Sequence, residues 1–153
     1  MFEETDAGKY IYQIELLEKS PQNPESEIYL RFLEESGVEV AATYMRWAFL
    51  CKRAADGPFA IYSDYDTKIR YLNRLKNFWT AIIALELTAG LLNFVIGFVN
   101  FFSNERQEYR AWSWQNLVAG ALCTGIGIVF IFTLLRPVYL QIRKLKKEKR
   151  LYD

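Results

Sequence analysis

Apolar and polar residues are distributed very unevenly along this chain. Residues 78–102, FWTAIIALELTAGLLNFVIGFVNFF, form one apolar block, and residues 117–135, LVAGALCTGIGIVFIFTLL, form a second. About 20 mostly apolar residues cross a bilayer as a helix. A pair of such segments has no other spanning form, because every backbone N–H must find its acceptor within its own segment. Amphipathic helices of a soluble bundle would carry more charge than these blocks do. The pattern predicts transmembrane helices at 78–102 and 117–139, an extracytoplasmic loop at 103–116 and a basic tail at 140–153.

The rhythm upstream is different. YIYQIELLE alternates, with Tyr10, Tyr12, Ile14 and Leu16 on one face, which predicts a strand. SPQNPESEIYLRFLEESG predicts a helix, with Asn23 as N-cap, Pro24 in the first turn and Gly37 at the end. Ile28, Phe32 and Leu33 are expected to face the sheet. VEVAATYMRWAFLCKRA is rich in β-branched and aromatic residues and long enough to fold as a hairpin near Met45 and Arg46. Asp56–Pro58 then breaks the pattern. Residues 1–62 thus predict a small α+β module. That is a marginal size for an independent core, so the module is expected to lean on the membrane helix, a second copy or a partner.

Residues 63–77 join the two regions. Ser63 and Asp66 have capping-box spacing. Ile69, Leu72 and Leu75 recur on one face, and no Gly or Pro interrupts from Ser63 to Thr88. One continuous helix is expected: an amphipathic stalk that enters the bilayer at Trp79. The fold class is therefore a small cytoplasmic α+β module followed by an all-α two-span transmembrane hairpin.

Charge orients this arrangement. Residues 1–66 carry 13 acidic and 6 basic side chains, and residues 67–153 carry 5 acidic and 13 basic. Lys68, Arg70, Arg74 and Lys76 precede the first block, and Arg143, Lys144, Lys146, Lys147, Lys149 and Arg150 follow the second. The connecting segment has only Arg106 and Arg110. The positive-inside rule places both termini in the cytoplasm. Trp79 marks one interface, Trp112 and Trp114 the other. Arg136 can snorkel at the end of the second span, where Pro137 loosens the helix. MFEETDAGK has no apolar core, so it does not read as a signal peptide. Cys51 and Cys123 are not expected to pair. The absence of His removes a Ser-His-Asp triad, a HExxH zinc site and a histidine base.

Candidate chemistry is sparse. SDYDTK lacks the Gly and Glu that an EF-hand needs six and twelve positions along, where Ile69 and Leu75 stand. Helix capping accounts for its aspartates. RKLKKEKR, directly after a span, is expected to touch anionic lipid rather than nucleic acid. The membrane blocks offer more. Glu86, Gly90, Asn93, Gly97 and Asn100 form one stripe on the first span, and Asn116, Gly120, Thr124 and Gly127 form another on the second. Small and polar residues in this pattern mark helix–helix contacts in lipid. Glu86 reads either as a polar contact, with Arg136 as ion-pair partner, or as a titrating group in a small oligomeric transporter.

GKYIYQIELLE, followed by YLRFLEESGVEVAATYMRWAFLCKRAADGPFAIYSDYDTKIRYLNR, resembles the domain-of-unknown-function 2812 family, most specifically in its RW…DGPF…IYSD…KI run. The resemblance covers about residues 8–74. It implies a small bacterial membrane protein, of a kind often encoded beside PadR-type repressors, and supplies no catalytic residues. It also implies that a helix and strand found ahead of the YIY strand in other members are missing here.

The expectation is a bacterial cell-membrane protein with a regulatory, sensor or protein-interaction role and no catalysis, metal or cofactor. Its partners would be membrane lipids and either further copies of itself, joined through the spans, or another membrane protein, with no nucleic acid. The alternative is a subunit of a small oligomeric transporter or export complex that uses Glu86.

Overall fold

A computed structural model describes residues 9–59, 61, 62, 64–103 and 107–152. The chain divides into two units, Met1–Tyr71 and Leu72–Asp153.

The first unit is an α+β module. Strands β1 (Tyr10–Leu16), β2 (Glu39–Tyr44) and β3 (Trp47–Arg53) form an antiparallel sheet in the order β1-β3-β2. β2 and β3 are a hairpin that turns at Met45 and Arg46. Met45 takes the left-handed conformation, φ 52°. Both Arg46 Nε and Nη2 donate to Leu17 O, at 3.0 and 2.7 Å, which ties the hairpin tip to the end of β1.

Helix α1 (Pro24–Glu35) starts and stops where its sequence signals say. Asn23 Oδ1 accepts from Glu25 N at 3.1 Å, and Pro24 fills the first position, where no N–H is needed. At the other end Gly37 N donates to Glu34 O and Val38 N to Leu33 O, both at 3.0 Å. This closure requires a left-handed residue, and Gly37 has φ 82°. It also brings Val38 and Leu33 into one buried cluster with Leu17, Ala48 and Leu50. A Cβ at Gly37 would meet nothing within 4 Å, so Gly37→Ala should cost only the left-handed penalty, about 1–2 kcal/mol. Chemical denaturation of the full chain, followed through the sheet's amide signals, would show that loss.

The inward face of α1 differs from the expected one. Leu33 is buried, but Ile28 and Phe32 are 67% and 61% exposed. Ser26, Tyr29 and Leu30 turn inward with Leu33 instead. At about 100° per residue Ile28 lies roughly 140° round the helix from Leu33, so the two cannot share a face. α1 packs against the Leu50 side of the sheet. Leu50, flanked by Gln13 and Val40 on the neighbouring strands, lies in the core. The opposite face presents Tyr12, Ile14, Tyr44 and Phe49 to solvent, so the alternating side of β1 is largely open, and of that face's expected residues only Leu16 is deeply buried.

Helix α2 (Tyr65–Ser103) runs unbroken for 39 residues. Its N-cap is Asp64, whose carboxylate accepts from Thr67 N at 3.0 Å and also from the Thr67 hydroxyl. The expected cap, Ser63, lies outside the described residues. The Thr67 hydroxyl and then the Thr67 N–H hold the Asp64 carboxyl below its ordinary value. Since the folded-state value is the lower one, the cap's contribution is complete above about pH 4 and is lost as pH falls through the lowered value. Protection of the amides at residues 65–68, taken relative to the intrinsic exchange rate at each pH, should therefore fall in acid in the wild type. Asp64→Ala should show low protection at every pH, and Asp64→Asn should keep a protection that does not change with pH.

The second unit is helical: the rest of α2, then α3 (Gln107–Phe130), a π-helical turn (Ile131–Leu135) and α4 (Arg136–Tyr152). The segment expected as a loop, 103–116, is already helical from Gln107. Glu, Arg, Ala and Gln there are helix formers with no Gly or Pro among them. The expected tail is helical to Tyr152, with Val138 and Ile142 buried. Among the described residues two helices are long and apolar enough to cross a membrane, Tyr65–Phe102 and Trp112–Leu151, with peak mean hydropathies of 2.1 and 2.4. Only 17% and 11% of those windows are buried in the protein, the reverse of a soluble core helix.

Candidate functional site on the helical hairpin

Glycines fix how α2 and α3 meet. A Cβ added at Gly90 would stand 2.5 Å from Thr124 Oγ1, 3.1 Å from Thr124 N and 3.2 Å from Gly120 O. One at Gly97 would stand 2.9 Å from Leu117 Cγ and 3.1 Å from Ser113 O, and one at Gly127 would stand 2.7 Å from Leu87 Cδ2. As α2 positions rise, their α3 partners fall, so the helices are antiparallel. Both stripes turn onto this contact: Gly90, Gly97, Gly120 and Gly127 are buried, and Glu86, Asn93, Asn100, Asn116 and Thr124 are half-buried along it. Asn93 Nδ2 donates to Ala89 O at 2.8 Å and Asn116 Nδ2 to Trp112 O at 2.9 Å. Each amide thus donates within its own helix. Leu85, Leu92, Val95, Val118, Leu122 and Val129 point outward. Ser113, placed by its sequence position in the connecting loop, is fully buried at the Gly97 contact.

Glu86 is the exception on the stripe. It is half-buried, and its Cγ lies 3.9 Å from where a Gly127 Cβ would be. Among the described residues it has no ion pair, so the expected partnership with Arg136 is absent. Helix register explains this. Glu86 is level with Gly127, and Arg136 is nine residues further on, about 13 Å along the axis. Arg136 instead shares a cleft with Lys76, Thr80 and Tyr139.

Two polar groups in the α+β module are not apparent from sequence spacing. Glu15, 1% exposed, accepts a hydrogen bond from the Tyr62 hydroxyl. The Tyr62 ring stacks on Tyr71 at 5.1 Å, and Tyr71 Oη donates to Ile14 O at 3.2 Å. Glu15 and Tyr62 are 47 residues apart, and the one local hint is an acidic residue between Ile14 and Leu16 on a strand. Cys51 lies beside Glu39, its Sγ 3.7 Å from Oε2. Burial first, then the Glu39 charge and hydrogen bond, push the thiol up. It stays protonated at neutral pH, which makes a poor nucleophile. Among the described residues no three His, Cys, Asp or Glu side chains gather as a metal site.

The family described as protein of unknown function (DUF2812) matches residues 1–84. The chain belongs to this family. In this DUF2812 member the match takes in the whole sheet, α1 and the first half of α2, and stops two residues before Glu86. The stripe and the return helix therefore lie beyond the matched span. Comparison with curated proteins and with solved structures gave no match.

Proposed function

We propose that this DUF2812 member is a membrane-anchored regulatory or interaction protein with no catalytic step of its own. One observation carries the reading: the glycine positions of α2 and α3 are packed closely against the other helix, and large apolar side chains point away from both helices. Such a hairpin is solvated by lipid tails. The open sheet face of Tyr12, Ile14, Tyr44 and Phe49, with Ile28 and Phe32 on α1, supports a protein-contact role for the module. Self-association, or contact with another membrane protein, would use the outward faces of the helices, since the stripe is occupied within the chain.

The reading places both termini in the cytoplasm of a bacterial cell. Asn104→Cys, between the spans, should label from outside intact cells, and Lys147→Cys only after lysis. Outside labelling at position 147 would overturn the orientation. Crosslinking in native membranes and capture of the full chain should then yield one defined partner or a homo-oligomer.

A transporter subunit is the second reading, favoured by Glu86, a carboxyl within a span and without an ion-pair partner among the described residues. Proteoliposomes separate the two readings. Cation or proton flux that is lost in Glu86→Gln supports transport, and no flux above empty vesicles supports the anchor.

A further inference from the structure

Pro137 lies inside a helix, and a proline there withdraws one N–H while its ring displaces the carbonyl four residues back, on Thr133. The chain answers by widening the preceding turn. Ile131–Leu135 is π-helical, and Arg136 N–H reaches back five residues to Ile131 O. The wide turn stands opposite α2 at Lys76 and Thr80, and a cleft of about 270 Å³ opens there, lined by Lys76, Thr80, Ile131, Leu135, Arg136 and Tyr139.

Its chemistry is two-part. Ile131, Leu135 and the side-chain stems give apolar walls. Lys76 and Arg136 bring two cations to the same cleft, and among the described residues neither has an ion-pair partner. Thr80 Oγ1 donates to Lys76 O at 2.8 Å, so that hydroxyl is already used within α2. A third cation is close by: the Arg143 guanidinium stands 5.9 Å from the centre of the Tyr139 ring. Like charges gathered beside an apolar cleft call for an anion that also carries hydrocarbon. A free phosphate would leave the walls wet, and a zwitterionic lipid would leave the excess charge uncompensated.

We propose that this cleft binds one anionic phospholipid, its phosphate between Lys76 and Arg136 and its acyl chain along Ile131 and Leu135. The proposal rests on the reading that both helices cross a bilayer, and it gives the expected lipid partner a defined place. Selectivity comes from the pair of cations, and shape comes from the proline-widened turn. The lysines beyond the cleft, on α4, contribute only general surface attraction.

The test is native mass spectrometry of the full chain in detergent, titrated with phosphatidylglycerol, phosphatidylcholine or inorganic phosphate. Phosphatidylglycerol should be retained as a single adduct in preference to phosphatidylcholine, and millimolar phosphate should not displace it. Lys76→Gln and Arg136→Gln should each weaken retention about fivefold. Lys146→Gln with Lys147→Gln should leave it unchanged. Pro137→Ala keeps both cations, lets the turn close and should also lose the adduct. Helicity by circular dichroism certifies each variant as folded. Equal retention of both lipids, displacement by phosphate, or loss as large from the α4 pair as from the cleft would overturn the site. Carbonate extraction of native membranes keeps the two levels apart. Release of the chain into the supernatant sinks the membrane reading itself, whereas a retained chain without lipid selectivity sinks only the cleft.

Discussion

Leu50→Ala is expected to unfold the α+β module. Leu50 is fully buried, in the middle of the central strand, within the cluster of Leu17, Leu33, Val38 and Ala48. Truncating such a leucine costs about 2–5 kcal/mol, because the lost transfer energy is joined by the void left behind. A unit of roughly 70 residues holds about 4–10 kcal/mol in all, so this one change removes a large part of it. The residues of that cluster all belong to the first unit. Limited proteolysis of the full chain should therefore show rapid cleavage within residues 9–62 and continued protection of α3. Unchanged protease resistance of the sheet would mean that contacts outside this cluster hold the module.

Gly90→Leu is expected to separate α2 from α3. The first clash, with Thr124 Oγ1, can be relieved by turning a hydroxyl. The next two, with Thr124 N and Gly120 O, are with backbone and cannot be relieved without moving a helix. Overpacking of this kind costs about 1–3 kcal/mol, and close backbone approach between helices in lipid is lost with it. Gly125→Leu is the matched control, since a Cβ there meets nothing within 4 Å. Spin labels at Ala84 and Val129, both outside the contact, would report the spacing, widening in Gly90→Leu and staying the same in Gly125→Leu. Unfolding in mixed micelles gives the energy.

What the sequence made legible was local. Asn23, Pro24 and Gly37 act within one helical turn, so α1 could be bounded from residue types alone. The two apolar blocks and the glycine stripes follow from period and composition, and they place the hairpin contact. The failures are long-range. Which side of α1 faces the sheet depends on where Leu50 and Val40 lie, and that is how Ile28 and Phe32 came to be exposed. Glu15 meets Tyr62 across 47 residues, with no spacing rule to announce it. The pairing of Glu86 with Arg136 assumed that a shared membrane surface implies a shared level, but the level is set by glycines that meet at Gly90 and Gly120.

The widened turn before Pro137 has a further consequence, for the phase of the second long helix. Inward positions on α3 step by sevens, from Ser113 to Gly120 to Gly127, all buried. Two more such steps would bring Gln141 to the inside, yet Gln141 is exposed and Ile142 is buried. The π turn inserts one residue into the count and rotates everything beyond it by about 100°. In effect a proline selects an isoleucine over a glutamine for burial. Deleting a single residue from 131–135 would return the count to plain sevens and leave the same Ile142 inside, whereas deleting one from 138–141 would turn the whole basic helix to a different face.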